Sequence, residues 1–108
     1  MATTYFNMEL PWYSFSTIPA SGSKTISISN SAKALVNIVG VSNAVKALYI
    51  ISTNSNGTMA YSAVYESSAI SASIPSGTTG QITFSNSNAS YNPNIYVMCF
   101  SGTASPVN

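Results

Sequence analysis

The sequence predicts an all-β domain: an antiparallel sandwich of about eight strands with jelly-roll-like winding, or alternatively an immunoglobulin-like sandwich. Three observations lead there. Short apolar segments recur at intervals of about 8–13 residues between clusters of Gly, Pro, Asn and Ser, the rhythm of sandwiches and barrels. Several of these segments alternate strictly between apolar and polar residues, as half-buried strands do. Ser and Thr occupy 31 of the 108 positions and β-branched residues fill the apolar runs, a composition that disfavours helix through side-chain competition for the backbone and restricted χ1. An immunoglobulin domain proper would show a Cys–Trp–Cys spacing, and the chain has a single cysteine.

Residues 1–11 form an N-terminal arm carrying Tyr5, Phe6, Met8 and Leu10, without clear period and closed by Pro11. Aromatic side chains in such a segment must dock on their own domain or on a neighbouring subunit. The sandwich spans residues 12–100. Its first strand, 12–18, alternates on the Tyr13, Phe15, Thr17 phase. After the turn cluster at 19–23, residues 24–29 (Lys-Thr-Ile-Ser-Ile-Ser) give the cleanest strand signature of the chain, with Ile26 and Ile28 on one face.

Two runs, 33–39 and 46–52, are apolar on both faces and flank a break at Gly40, Val41, Ser42 and Asn43. Continuous apolarity implies burial on both sides, or one side covered by another subunit. Asn56-Gly57 then marks a hairpin turn. In the strand that follows, 58–65, alternation places Met59, Tyr61, Ala63 and Tyr65 on one face and Ala60, Ser62 and Val64 on the other. Strands at 69–74 and 81–85 are separated by a Pro/Gly turn. The polar loop 86–94 leads to the last strand, 95–100, and residues 101–108 are expected to be a flexible tail.

Composition narrows the function. Only Glu9, Lys24, Lys33, Lys46 and Glu66 are charged, and the chain has no Asp, Arg or His. Three scattered lysines cannot neutralise the run of phosphates that nucleic-acid binding requires. Without His there is no Ser-His-Asp or Cys-His arrangement, and two distant glutamates make poor paired-carboxylate chemistry. No Cys/His/carboxylate cluster offers metal ligands. Gly77-Thr-Thr-Gly80 lacks the Lys and helix of a phosphate loop. The expectation is therefore a protein that is not an enzyme and uses no cofactor. Asn37, Ser42, Asn43 and Lys46 interrupt the most apolar stretch, so no membrane span is expected, nor is a signal peptide. Cys99 sits in an apolar strand as a small hydrophobe.

Binding remains. Tyrosines among abundant Ser and Asn suit adaptable recognition surfaces. Tyr91, with Asn88 and Asn92 in its loop, is the candidate ligand-binding group, and Tyr61 and Tyr65 either face outward or cover the core with hydroxyls outward. Tyr5, Phe6, Trp12 and Tyr13 are the candidate partner-binding residues.

Residues 14–29 (Ser-Phe-Ser-Thr-Ile-Pro-Ala-Ser-Gly-Ser-Lys-Thr-Ile-Ser-Ile-Ser), the runs at 34–39 and 47–51, the phrase Gly80-Gln-Ile-Thr-Phe-Ser-Asn86 and the close Asn94-Ile-Tyr-Val-Met98 together resemble the small all-β modules of bacteriophage virions, such as the terminal domains of tail and head fibres and capsid decoration proteins. The resemblance covers roughly residues 13–100. It implies a homo-oligomer, commonly a trimer, located on the virion, an extracellular particle, with other virion proteins and a host-surface glycan as possible partners. Starting at Met1 with a short arm and no shaft favours a stand-alone decoration or spike protein over a fibre tip. The alternatives are a carbohydrate-binding module using Tyr91, and a self-assembling filament subunit.

Overall fold

The computed structural model of the protein describes residues 12–107, so Tyr5, Phe6 and the rest of the arm lie outside the described residues. Nine strands and one short 3₁₀ turn make up the fold: β1 (Trp12–Thr17), β2 (Gly22–Ile28), β3 (Lys33–Val39), the turn (Asn43–Val45), β4 (Ala47–Thr53), β5 (Met59–Glu66), β6 (Ile70–Ser73), β7 (Gln81–Asn86), β8 (Asn94–Ser101) and β9 (Ala104–Pro106). They form two antiparallel sheets. Sheet A has the order β1-β8-β3-β4-β5 and sheet B the order β6-β7-β2-β9. The expected sandwich is thus what the chain builds. Its winding is jelly-roll-like where β8 inserts between β1 and β3 and where β2 meets β7. The meander β3-β4-β5 stays within one sheet. Among the described residues no helix is long and apolar enough to cross a membrane.

The core fills the space between the sheets. From sheet A it takes Val36, Ile38, Tyr49, Ile51, Ile95 and Val97, and from sheet B Ile26, Ile28, Ile70, Ile82 and Phe84, all buried. Tyr49 and Phe84 meet across the gap, ring centroids 5.2 Å apart and tilted by 45°, a geometry that suits the ring quadrupoles. The Asn-Gly hairpin forms as expected between β4 and β5. The Asn54 amide donates to the Thr58 carbonyl at 3.0 Å, and Gly57 takes φ +87°, where a side chain would be strained. The break at 40–43 leads into the 3₁₀ turn, which Ser42 caps by accepting from the Ala44 amide at 3.2 Å and which buries Val45.

Three sequence expectations need correction. First, part of the tail, Ala104–Pro106, is a strand. Gly102 at φ +80° reverses the chain, Ser29 and Thr103 bond through the Ser29 amide (3.0 Å) and the Ser29 hydroxyl (2.9 Å), and β9 then pairs with β2. Second, β5 does not alternate throughout. Leu48 pairs with Tyr65 but Tyr49 with Ala63, so Val64 is an extra, bulged residue. A bulge resets the face of everything beyond it. Tyr65 therefore lies on the outer face beside Leu48, while Tyr61 stays inward and closes the side of the sandwich, its hydroxyl donating to the Ala72 carbonyl at 3.1 Å. Third, among the described residues the doubly apolar runs are buried on one face and not on both: Val36 and Ile38 are buried, whereas Ile50 is 51% exposed.

Candidate functional site

The two outer faces of the sandwich differ in kind. On sheet A, register sets Met98 opposite Leu35 and Leu35 opposite Ile50. The neighbouring row runs Tyr96, Asn37, Leu48, Tyr65. Leu35, Leu48, Tyr96 and Met98 are half-buried, and Ile50 and Tyr65 are exposed. These six side chains form an apolar and aromatic patch around Asn37, and Lys33 stands one row away beside Ser52. A shallow concavity of about 220 Å³ at its β4–β5 end is lined by Ile50, Ser52, Ala60, Tyr61 and Ser62.

Sheet B presents hydroxyls instead. Ser71, Ser85 and Ser23 face one another across β6, β7 and β2, and Ser73, Thr83 and Thr25 form the next row. The Thr25 and Thr83 hydroxyls lie 2.7 Å apart. Ser27 follows, between Gln81 and Ser105. At one end an open concavity of about 500 Å³ is lined largely by serines, among them Ser21, Ser23, Ser71 and Ser87. The alternation Thr25, Ser27 against Ile26, Ile28 produces this face, just as the doubly apolar runs produce the other.

The Asn-rich loop holds itself together. Buried Asn86 donates its Nδ2 to the Tyr91 carbonyl at 2.8 Å and accepts from the Asn88 amide at 2.9 Å. Asn88 in turn accepts from the amides of Ser90 (2.8 Å) and Tyr91 (3.0 Å). Asn92 accepts from the Ala20 amide at 2.6 Å. The carboxamide oxygens of Asn88 and Asn92, candidate ligand groups from sequence, are thus committed to shaping the loop that carries Tyr91, whose ring is 37% exposed. Of the candidate arm residues, Trp12 and Tyr13 are the first residues of β1, with backbones paired to Met98 and Val97.

Two ionisable groups depart from their ordinary behaviour, and both are structural. Tyr49 has no exposed surface. Burial pushes its hydroxyl well above the usual tyrosine range, and the hydrogen bond it donates to the Glu66 carboxylate pushes the same way. Burial also pushes the Cys99 thiol up, away from the thiolate a nucleophile would need. Among the described residues no three His, Cys, Asp or Glu side chains gather as a metal site. The apolar patch on sheet A lies on the second apolar face of 33–39 and 46–52, which the sequence offers for cover by a neighbouring subunit; what alternation does not show is Tyr65, which joins the patch only through the bulge. No family model, curated protein or solved structure matches the chain.

Proposed function

We propose that this chain is a non-enzymatic structural module that homo-oligomerises and attaches to a larger assembly, of the decoration, spike or fibre type that bacteriophage virions carry. The observation that supports it is the apolar face of sheet A, where Leu35, Ile50, Met98, Leu48, Tyr65 and Tyr96 gather with no charge among them. Contiguous exposed apolar surface of this kind marks interaction sites, and the near-neutral chain, formal charge +1, adds little self-repulsion. The role assigned to Tyr5, Phe6, Trp12 and Tyr13 is attachment to the particle.

Light scattering of the purified chain and of Ile50→Glu tests this. The expected result is an oligomer in the wild type and a folded, smaller species in the variant. A wild type that remains monomeric at tens of micromolar would overturn the assembly role. Deleting residues 1–11 tests attachment separately, since unchanged occupancy on particles would remove the arm from it.

A second function, binding of a neutral glycan, is favoured by the serine-lined concavity on sheet B and by the exposed ring of Tyr91. Glycan-array binding that vanishes in Tyr91→Ala would support it, and the absence of any glycan signal would exclude it.

A further inference from the structure

The edges of the two sheets are protected unequally. An edge strand presents unpaired N–H and C=O groups, and proteins blunt it with short length, proline, charge or bulges. In sheet B, β6 is only four residues long, Pro75 follows closely, and its Ala72 carbonyl is already taken by Tyr61. Three-residue β9 contains Pro106. In sheet A, β1 breaks register between Phe15 and Thr17. The remaining edge, β5, is eight residues long with no Pro and no Lys. Its one charge, Glu66, lies beyond the Val64 bulge, and residues 59–63 are regularly paired to β4 on one side. β4 is the strand's only hydrogen-bonded neighbour among the described residues. Ala60, Ser62 and Ala63 are small, neutral and exposed, and residues 59–63 carry no charge, so a further strand can approach without electrostatic resistance.

We propose that β5 is the self-association edge: residues 59–63 of one copy pair antiparallel with the same residues of a second copy, joining two five-stranded sheets into one of ten strands. This rests on the assembly function above and names its partner and geometry. Antiparallel pairing of identical strands is self-complementary and closes on a two-fold axis. Centred on Tyr61, it sets Ala60 opposite Ser62 of the other copy, twice, on the outer face, and on the inner face Tyr61 opposite Tyr61 and Met59 opposite Ala63; every group at the seam is neutral. The apolar faces of the two sheets A then lie on one side of a continuous surface. An extended segment of an unrelated protein could add to the same edge; the second copy is favoured because residues 59–63 are free of charge and the two-fold pairs them without like-charge conflict, bringing Tyr61 beside Tyr61 of the other copy as an aromatic cross-strand pair. A two-fold contact builds even-numbered assemblies, in place of the trimer expected from the resemblance.

Sedimentation equilibrium of two double variants tests the register. In Ala60→Lys/Ser62→Lys, ammonium groups face each other across the seam, and like charges directly opposite are destabilising; the dissociation constant is expected to rise at least about tenfold. In Ala60→Glu/Ser62→Lys, each new carboxylate faces a new ammonium, and association is expected to return to near the wild-type value. Circular dichroism melts confirm that both variants fold. Equal association of both variants with the wild type, or equal loss in both, overturns edge pairing while leaving assembly through the apolar face standing. A wild type that is monomeric at every concentration overturns both.

Discussion

Tyr49 and Glu66 are bonded although one lies at the centre of the core and the other at an exposed strand end: the Tyr49 ring packs on Phe84 while its hydroxyl donates to the Glu66 carboxylate. The Val64 bulge makes this possible, because it turns Tyr65 outward and places Glu66 opposite Ala47, on the inward face. A buried hydroxyl left without a partner would be costly, and here an exposed residue supplies that partner.

Tyr49→Phe is expected to lower stability by about 1–2 kcal/mol, the range for losing a hydrogen bond to a charged group that water can partly replace. The pH dependence is equally specific. The folded hydroxyl titrates above its unfolded value, so its contribution is intact below about pH 10 and falls as pH rises past that point, where only the unfolded chain gives up the proton. Denaturant titrations between about pH 10 and 11.5 should show the alkaline loss of stability shallower in Tyr49→Phe by about 1.4 kcal/mol per pH unit. Identical slopes would mean that the wild-type hydroxyl ionises freely.

Deleting Val64 is expected to be tolerated, shifting stability by no more than about 1 kcal/mol. Removing the extra residue leaves Ala63 opposite Tyr49 and Tyr65 opposite Leu48, so every facing relationship survives. Tyr49→Phe should therefore cost the same with and without Val64, which a double-mutant cycle measures. Deleting Ile50 from β4, paired without interruption to β3, turns inner residues outward and should abolish folding.

Gly102→Ala should release β9. The conformation at φ +80° disfavours a side chain, and a Cβ there would sit 2.5 Å from the Ala32 Cβ and 2.6 Å from the Ser29 hydroxyl. A cost of about 1–3 kcal/mol is expected, concentrated locally. In hydrogen exchange, the Val107 amide, which donates to the Thr25 carbonyl at 3.0 Å, should lose protection while the β3 and β4 amides keep theirs.

Asn86→Ala removes a buried carboxamide that serves both the Tyr91 carbonyl and the Asn88 amide. A loss of about 2–3 kcal/mol is expected, with faster proteolysis in residues 87–92. Ser90→Ala, in which the amide bonded to Asn88 is retained, should leave both properties unchanged.

Alternation was the most legible property of the sequence. It placed Ile26 and Ile28 inside and Thr25 and Ser27 outside, and both assignments hold. Continuous apolarity at 33–39 and 46–52 correctly singled out the centre of a sheet. A bulge, however, leaves no trace in composition: Val64 reads as one more strand residue, and alternation therefore puts Tyr65 on the same face as Tyr61, where the bulge separates them. β9 was equally hidden, since Ala-Ser-Pro has no period and gains its strand from Gly102 and from the free edge of β2. The roles of Asn88 and Asn92 were illegible for a related reason, because an Asn that folds its own loop and one that binds a ligand look alike until their partners are known.

The position of β8 also sets when this protein can fold. Among the described residues strand β1 finds its only partner in β8, a segment roughly 80 residues later in the chain, and β3 has β8 along its second side. As the chain leaves the ribosome, β3, β4 and β5 can meet as local hairpins, yet the edge of β3 stays open and β1 stays unpaired until Asn94–Ser101 emerges. Such pairing between distant segments closes slowly. Sheet A thus closes only once Asn94–Ser101 has been made, and a chain stopped short of β8 lacks the partner that β1 pairs with here.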